Sequence, residues 1–158
     1  MEKKGIFRLV YIADAMLGLL ILAGLAIYAA LPWVYNWLIE QNFTNFPEDS
    51  RKLGLQLLNA SGIPAIVLLA LALAVTVNIT RNKPFIMANA RLLGWMGVCS
   101  AVISAEFLTA FFFATYSGFR LLIISVFVVF LLLAVLAWVF ADLFRTAVEY
   151  REENELTI

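Results

Sequence analysis

The sequence has no histidine, one cysteine and four prolines in 158 residues, and only 14% of its residues are charged. Each shortage excludes something. Without histidine there is no Ser–His–Asp or Cys–His catalytic arrangement and no His-ligated metal. A lone cysteine, Cys99, cannot close an intramolecular disulfide, and within its apolar stretch it reads as a buried, inert thiol. Eleven bases cancel eleven acids, so no field of one sign points to direct nucleic-acid binding or to an acidic partner. Soluble domains run at about 45–50% apolar and about 25% charged residues. Here the hydrophobic fraction is 64% and the mean hydropathy is +0.95. A soluble domain of this length could not hide that much apolar surface, which leaves an integral membrane protein.

The few charges divide the chain into four apolar stretches. Residues 9–39 carry one charge, Asp14; residues 53–80 carry none; residues 92–119 carry one, Glu106; residues 121–141 carry none. A helix of ~20 residues rises ~30 Å, the thickness of a hydrocarbon core. In lipid a helix satisfies its backbone groups within its own segment, and the ~10-residue alternating strands of a membrane barrel do not occur. The expected fold is therefore all-α: one domain, 1–158, with four transmembrane helices near 9–32, 62–80, 91–116 and 119–142 and a helical tail over 143–158. Pro32 is expected to end or kink the first span, before the interfacial rings Trp33, Tyr35 and Trp37. Leu53–Asn59 is expected to lie on the outer surface before Gly62 and Pro64 start the second span, and Gly118 to turn the chain between spans three and four. MEKKGIFR has the positive start of a signal peptide, but the apolar part far exceeds a 7–15-residue core, so an uncleaved anchor is expected.

Lysine and arginine orient the chain. Lys3, Lys4, Arg8, Arg81, Lys83, Arg91, Arg145 and Arg151 fall on one side, and Arg51, Lys52 and Arg120 on the other. The positive-inside rule then places both termini and the 81–91 loop in the cytoplasm.

Asp14 and Glu106 are the residues that break the hydrophobic pattern. A charge within the bilayer costs roughly 2.5–3.5 kcal/mol on insertion scales, so each should face protein or be protonated. Asp14 lies about 9 Å along the helix from Arg8, and Glu106 about 22 Å from Arg91. The depths differ, so a carboxyl pair of the aspartyl-protease kind is not expected. Two readings fit each residue. Asp14 is either a near-interface carboxylate held by Arg8, Lys83 or a Ser/Thr, or part of a proton or cation path. Glu106 is either a protonated side chain bonded through Ser100, Ser104 or Thr109, or a site for protons or a cationic ligand. Of the two, Glu106 is the better functional candidate.

Small residues recur at four-residue spacing: Gly97, Ala101 and Ala105 on span three, Ala26 and Ala30 on span one, Ala70 and Ala74 on span two. They predict close helix packing and would bring Glu106 near the packed seam. Phe107, Phe111, Phe112 and Phe113 follow Glu106 and suit lipid. Asn78-Ile79-Thr80 matches a glycosylation acceptor, but so do Asn42-Phe43-Thr44 and Asn59-Ala60-Ser61, and matches this short arise by chance.

Beyond span four, Asp142, Arg145, Glu149 and Glu152 or Glu153 share one helical face, while Phe140, Phe144 and Val148 share another. Asn154 is the expected stop, and Leu156, Thr157 and Ile158 form a short apolar end. The segment is either a docking element or a solvated helix with a frayed tail. In the 81–91 loop, Pro84 suits a first helical position, and Phe85, Asn89 and Leu92 share a face. The loop and the acidic tail lie on one predicted side, where they can meet each other, lipid headgroups or a partner.

Two stretches carry a family likeness. One runs from Asn82-Lys83-Pro84-Phe85 through Asn89-Ala90-Arg91-Leu92 to Gly94-Trp95. The other runs from Leu143-Phe144-Arg145 through Val148 and Glu152-Glu153-Asn154 to Leu156-Thr157-Ile158. With the four-span layout, they resemble the small bacterial membrane proteins of domain-of-unknown-function family 2975. Lys83, Ala147, Tyr150 and Glu155 stand where that family more often has threonine, glycine, an aliphatic residue and aspartate. The resemblance implies a four-helix protein of the bacterial cytoplasmic (inner) membrane without established enzymatic activity. Such proteins are similar to those often encoded beside a small helix-turn-helix transcription regulator. The expectation is a non-enzymatic protein with no cofactor and no metal, binding lipid along its spans and a cytoplasmic DNA-binding regulator through its loop and tail. The expected contacts are Pro84, Phe85, Asn89, Arg91, Phe144, Arg145, Glu152, Asn154, Leu156, Thr157 and Ile158. The alternative is a small transporter, resistance or sensor protein that binds a cationic or apolar compound near Glu106.

Overall fold

A computed structural model shows the chain as four long helices. It describes residues 2–40, 47–81 and 84–156, with side chains over 11–37, 47–81 and 84–154. The helices are α1 (Glu2–Glu40), α2 (Glu48–Thr80), α3 (Met87–Phe113) and α4 (Ser117–Leu156). All four are long and apolar enough to cross a membrane. They pair in chain order, α1 on α2, α2 on α3, and α3 on α4 most extensively. One end of this antiparallel row carries the α2–α3 connection, and the other carries the α3–α4 turn.

The helices outrun the expected spans. α1 continues through Pro32, and α2 begins at Glu48 and contains both Leu53–Asn59 and Pro64. An internal proline removes one backbone bond, which neighbouring helices and side chains can offset in an apolar setting. Two side-chain bonds lie near Pro64. The Tyr28 O–H donates to the Asn59 carbonyl at 3.3 Å, and the Ser61 O–H donates to the Leu57 carbonyl at 2.7 Å. The Leu53–Asn59 segment is packed within α2: Leu57 is buried and Leu53 lies against the same cluster, which also holds Ala110, Ala114, Phe119 and Ile123.

The α3–α4 turn is Ala114–Tyr116, and Gly118 already belongs to α4, contrary to its expected place in the turn. The Tyr116 carbonyl accepts the N–H groups of Phe119 and Arg120 at 3.1 and 3.0 Å. Arg120 closes the turn by donating from Nε to the Ala114 carbonyl at 2.5 Å. Pro84 is also displaced from its expected place. It lies in the connection before Ile86, which flanks the first residue of α3, Met87.

The α3–α4 seam repeats every seven residues. On α3 it buries Ala90, Gly97 and Ser104; on α4 it buries Ala134, Ala141 and Val148. A seven-residue step keeps a seam facing its neighbour, whereas four-residue steps drift by about 40° each. Ala105 is consequently exposed, and Phe140 stands outside the buried stripe that Val148 joins. Small seam residues let the backbones approach. A Cβ on Gly97 would come within 2.5 Å of Trp138 Cδ1 and Nε1. Ser104 crosses the seam, its hydroxyl donating to the Phe127 carbonyl at 3.2 Å.

Candidate functional site

A layer of polar contacts lies at the end that carries the α2–α3 connection. Antiparallel pairing brings the last turn of α2 beside the first turn of α3, and one asparagine from each meets there. Asn78 Nδ2 donates to Asn89 Oδ1 at 2.7 Å, and Asn89 Nδ2 donates to the Pro84 carbonyl at 2.7 Å. The Asn89 N–H donates to the Ile86 carbonyl at 2.9 Å. Asn89 is 0% exposed, so it holds the connection in shape and offers no surface to a partner. Sequence reasoning singled out Asn89 but missed Asn78, whose acceptor-like triplet hid the simpler signal of an amide near the end of an apolar helix.

On the α1 side the same layer reaches Asp14. The Thr80 hydroxyl donates to the Val77 carbonyl at 2.7 Å and lies 3.4 Å from Asp14 Oδ2. This is the Ser/Thr contact among the alternatives for Asp14. The side chains of Arg8 and Lys83 lie outside the described residues. Asp14 Oδ1 is buried without a hydrogen-bond partner among the described residues.

On the α4 side the connection meets the expected tail, which is an unbroken continuation of α4. The rings of Phe85 and Phe144 lie with centroids 5.8 Å apart, tilted by 35°. Val148, one turn beyond Phe144, is 4% exposed, so this part of the tail is packed. Along the connection, the start of α3 and the α4 extension, Phe85, Arg91, Arg145, Glu152 and Asn154 are exposed, and Pro84 and Phe144 are half-buried. α4 ends at Leu156; its side chain, and Thr157 and Ile158 entirely, lie outside the described residues.

Beside this surface a groove of about 380 Å³ separates α3 from α4, with Arg91 and Trp95 on one wall and Trp138, Asp142 and Arg145 on the other. Arg145 Nη1 is 3.7 Å from Asp142 Oδ1, an exposed pair that contributes little to stability. Sequence reasoning placed the arginine of each wall but gave neither tryptophan a role here. Their register, one turn from Arg91 on α3 and from Asp142 on α4, was the available signal.

Glu106 sits elsewhere. Nine residues beyond Gly97, it lies on the opposite side of α3 from the α4 seam. It lines a shallow groove of about 220 Å³ against the first half of α2, with Gln56, Ala60 and Thr109. Glu106 Oε2 is buried without a partner among the described residues. Two of the three hydroxyls expected to serve it are used otherwise: Thr109 donates to the Ala105 carbonyl at 2.8 Å, and Ser104 donates across the α4 seam. Asp14, at the Thr80 end of α2, and Glu106, beside its Leu53–Ala60 segment, are far apart along the row, in keeping with their different depths. No group of three acidic, histidine or cysteine side chains able to hold a metal occurs among the described residues.

The architecture defines an all-α protein whose four helices are each long and apolar enough to span a membrane, with a polar layer at one end. The chain belongs to the family described as Protein of unknown function (DUF2975), whose match covers residues 28–158. That match includes both stretches that suggested the likeness. No curated protein and no solved structure matches the chain.

Proposed function

We propose that the protein is a non-enzymatic, multi-pass protein of a bacterial cytoplasmic membrane that holds a cytoplasmic partner at the end carrying the α2–α3 connection. The orientation rests on the basic residues, eight of which fall on that side and three on the other. The observation that carries the reading is the Phe85–Phe144 contact, which joins the connection and the tail into one surface. On the elements at this end, Arg91, Arg145, Glu152 and Asn154 are exposed and of mixed charge. A half-exposed apolar centre with a polar rim is the usual make-up of a protein contact. The family likeness makes a small helix-turn-helix regulator the first partner to test.

Co-purification of that regulator from detergent-solubilised membranes should fall at least tenfold when residues 150–158 are deleted. Retention at the full-length level would count against the proposal.

A second reading is favoured by one observation, the unpartnered Glu106 Oε2 beside its groove. A buried ionisable group in an apolar helix is expensive and often functional. In this reading the protein binds a cationic or apolar compound between α2 and α3. Glu106→Gln should then abolish the ligand or proton response of the wild type. An unchanged response would remove this reading.

A further inference from the structure

The groove between α3 and α4 sets Arg91 and Arg145, which also belong to the proposed partner surface, beside two tryptophans that neither proposed activity uses. Arg91 stands at its mouth, exposed and without a hydrogen bond or ion pair among the described residues. Arg145 stands on the opposite wall. Its distance of 3.7 Å from Asp142 is well beyond the ~2.7–2.9 Å of a charge-assisted hydrogen bond, so its donors remain available. Two guanidiniums and one carboxylate leave the mouth with one net positive charge. One turn further along each helix, toward the long apolar runs, Trp95 and Trp138 are 61% and 44% exposed. Beyond them the wall continues with Val98. From mouth to floor the order is guanidinium, indole, aliphatic.

That order is the polarity profile of a bilayer boundary. Arginine forks suit phosphate oxygens, indoles concentrate at the headgroup level, and aliphatic groups meet acyl chains. Basic pockets between transmembrane helices on the cytoplasmic side recurrently hold anionic headgroups. We propose that this groove is a binding site for one anionic phospholipid, its phosphodiester held by Arg91 and Arg145 and its glycerol region lying against Trp95 and Trp138. The single net positive charge matches the single negative charge of a phosphatidylglycerol headgroup. A protein segment would leave the depth order of the two indoles unexplained, because a soluble partner reaches the arginines but not the apolar floor. The inference rests on the membrane reading; it shares Arg91 and Arg145 with the proposed partner surface but needs no regulator to be bound.

Native mass spectrometry of the full-length protein in detergent tests it, with dioctanoyl-phosphatidylglycerol as the probe. The wild type should retain one such lipid at least fivefold better than dioctanoyl-phosphatidylcholine. Arg91→Gln combined with Arg145→Gln should lower retention at least tenfold, with helix content by circular dichroism unchanged. Asp142→Asn removes the competing carboxylate and should raise retention at least twofold, which keeps the test decisive if the arginine variant misfolds. Equal retention of the two lipids, or no response to any of the three substitutions, would overturn the site. Displacement of the lipid by an equal concentration of inorganic phosphate would overturn the lipid as its source. Failure of these tests alongside intact regulator co-purification separates the fate of this inference from that of the proposed function.

Discussion

Gly97→Leu is expected to open the α3–α4 seam and to destabilise the protein by about 3 kcal/mol, the upper part of the ~1–3 kcal/mol range for overpacked cores. The cause is local and geometric. Even a Cβ at residue 97 would meet Trp138 Cδ1 and Nε1 at 2.5 Å and Cε2 at 3.0 Å. These atoms belong to a rigid ring, so the ring must turn out or the helices must part. Gly97 lies within the seven-residue seam, where Ser104 bonds across to Phe127, so parting the helices also strains that bond. Reversible unfolding in mixed micelles of increasing SDS fraction measures the loss, and tryptophan emission reports the displaced ring. Trp138→Ala alone should cost less and should relieve most of the Gly97→Leu penalty. A double-mutant coupling well above ~0.5 kcal/mol would show that the two residues act as one contact. Additive effects would contradict it.

Asn89→Ala is the second large effect expected, at about 2–3 kcal/mol. The substitution removes two side-chain hydrogen bonds of 2.7 Å, leaving the Asn78 amide and the Pro84 carbonyl to find other partners. A buried polar group left unpaired costs about 1–3 kcal/mol. Asn89→Asp keeps an acceptor for Asn78 but cannot donate to Pro84 when ionised, and it adds a charge to a fully buried site, so it should not rescue. Asn78→Ala breaks only the inter-helix bond and should cost less. The same SDS titration measures all three variants. Limited proteolysis adds a specific readout, because loss of the Asn89–Pro84 bond should expose the connection to cleavage in Asn89→Ala and leave the α3–α4 turn unaffected.

Much of the fold could be read from charge placement. Arg81 follows the end of α2, and the two charge-free runs, 53–80 and 121–141, lie within α2 and α4, because a charge in an apolar segment is costly and marks an edge. Pro64 read as part of the start of the second span, whereas α2 begins at Glu48, and Pro32, read as ending or kinking the first span, does not end α1. Packing register misled as well. The four-residue stripe Gly97–Ala101–Ala105 is conspicuous, but the buried seam runs Ala90–Gly97–Ser104, and single residues at seven-residue spacing carry little signal without the partner helix. With the seam in that register, Glu106 lies off it, in the groove against α2. The meeting of the loop and the tail followed from their place on one side of the chain. The enclosure of Asn89 did not, because which face of a first turn points inward depends on α2 and α4 together.

Site-specific photo-cross-linking in intact cells tests the central claim most directly. A photoreactive residue is placed at 85, at 144 or, as the control at the opposite end of α3, at 112, with the regulator co-expressed. Positions 85 and 144 should each give an adduct with the regulator, and position 112 should give none. Regulator adducts at 112, or none at either 85 or 144 when the protein is present in the membrane, would contradict the account.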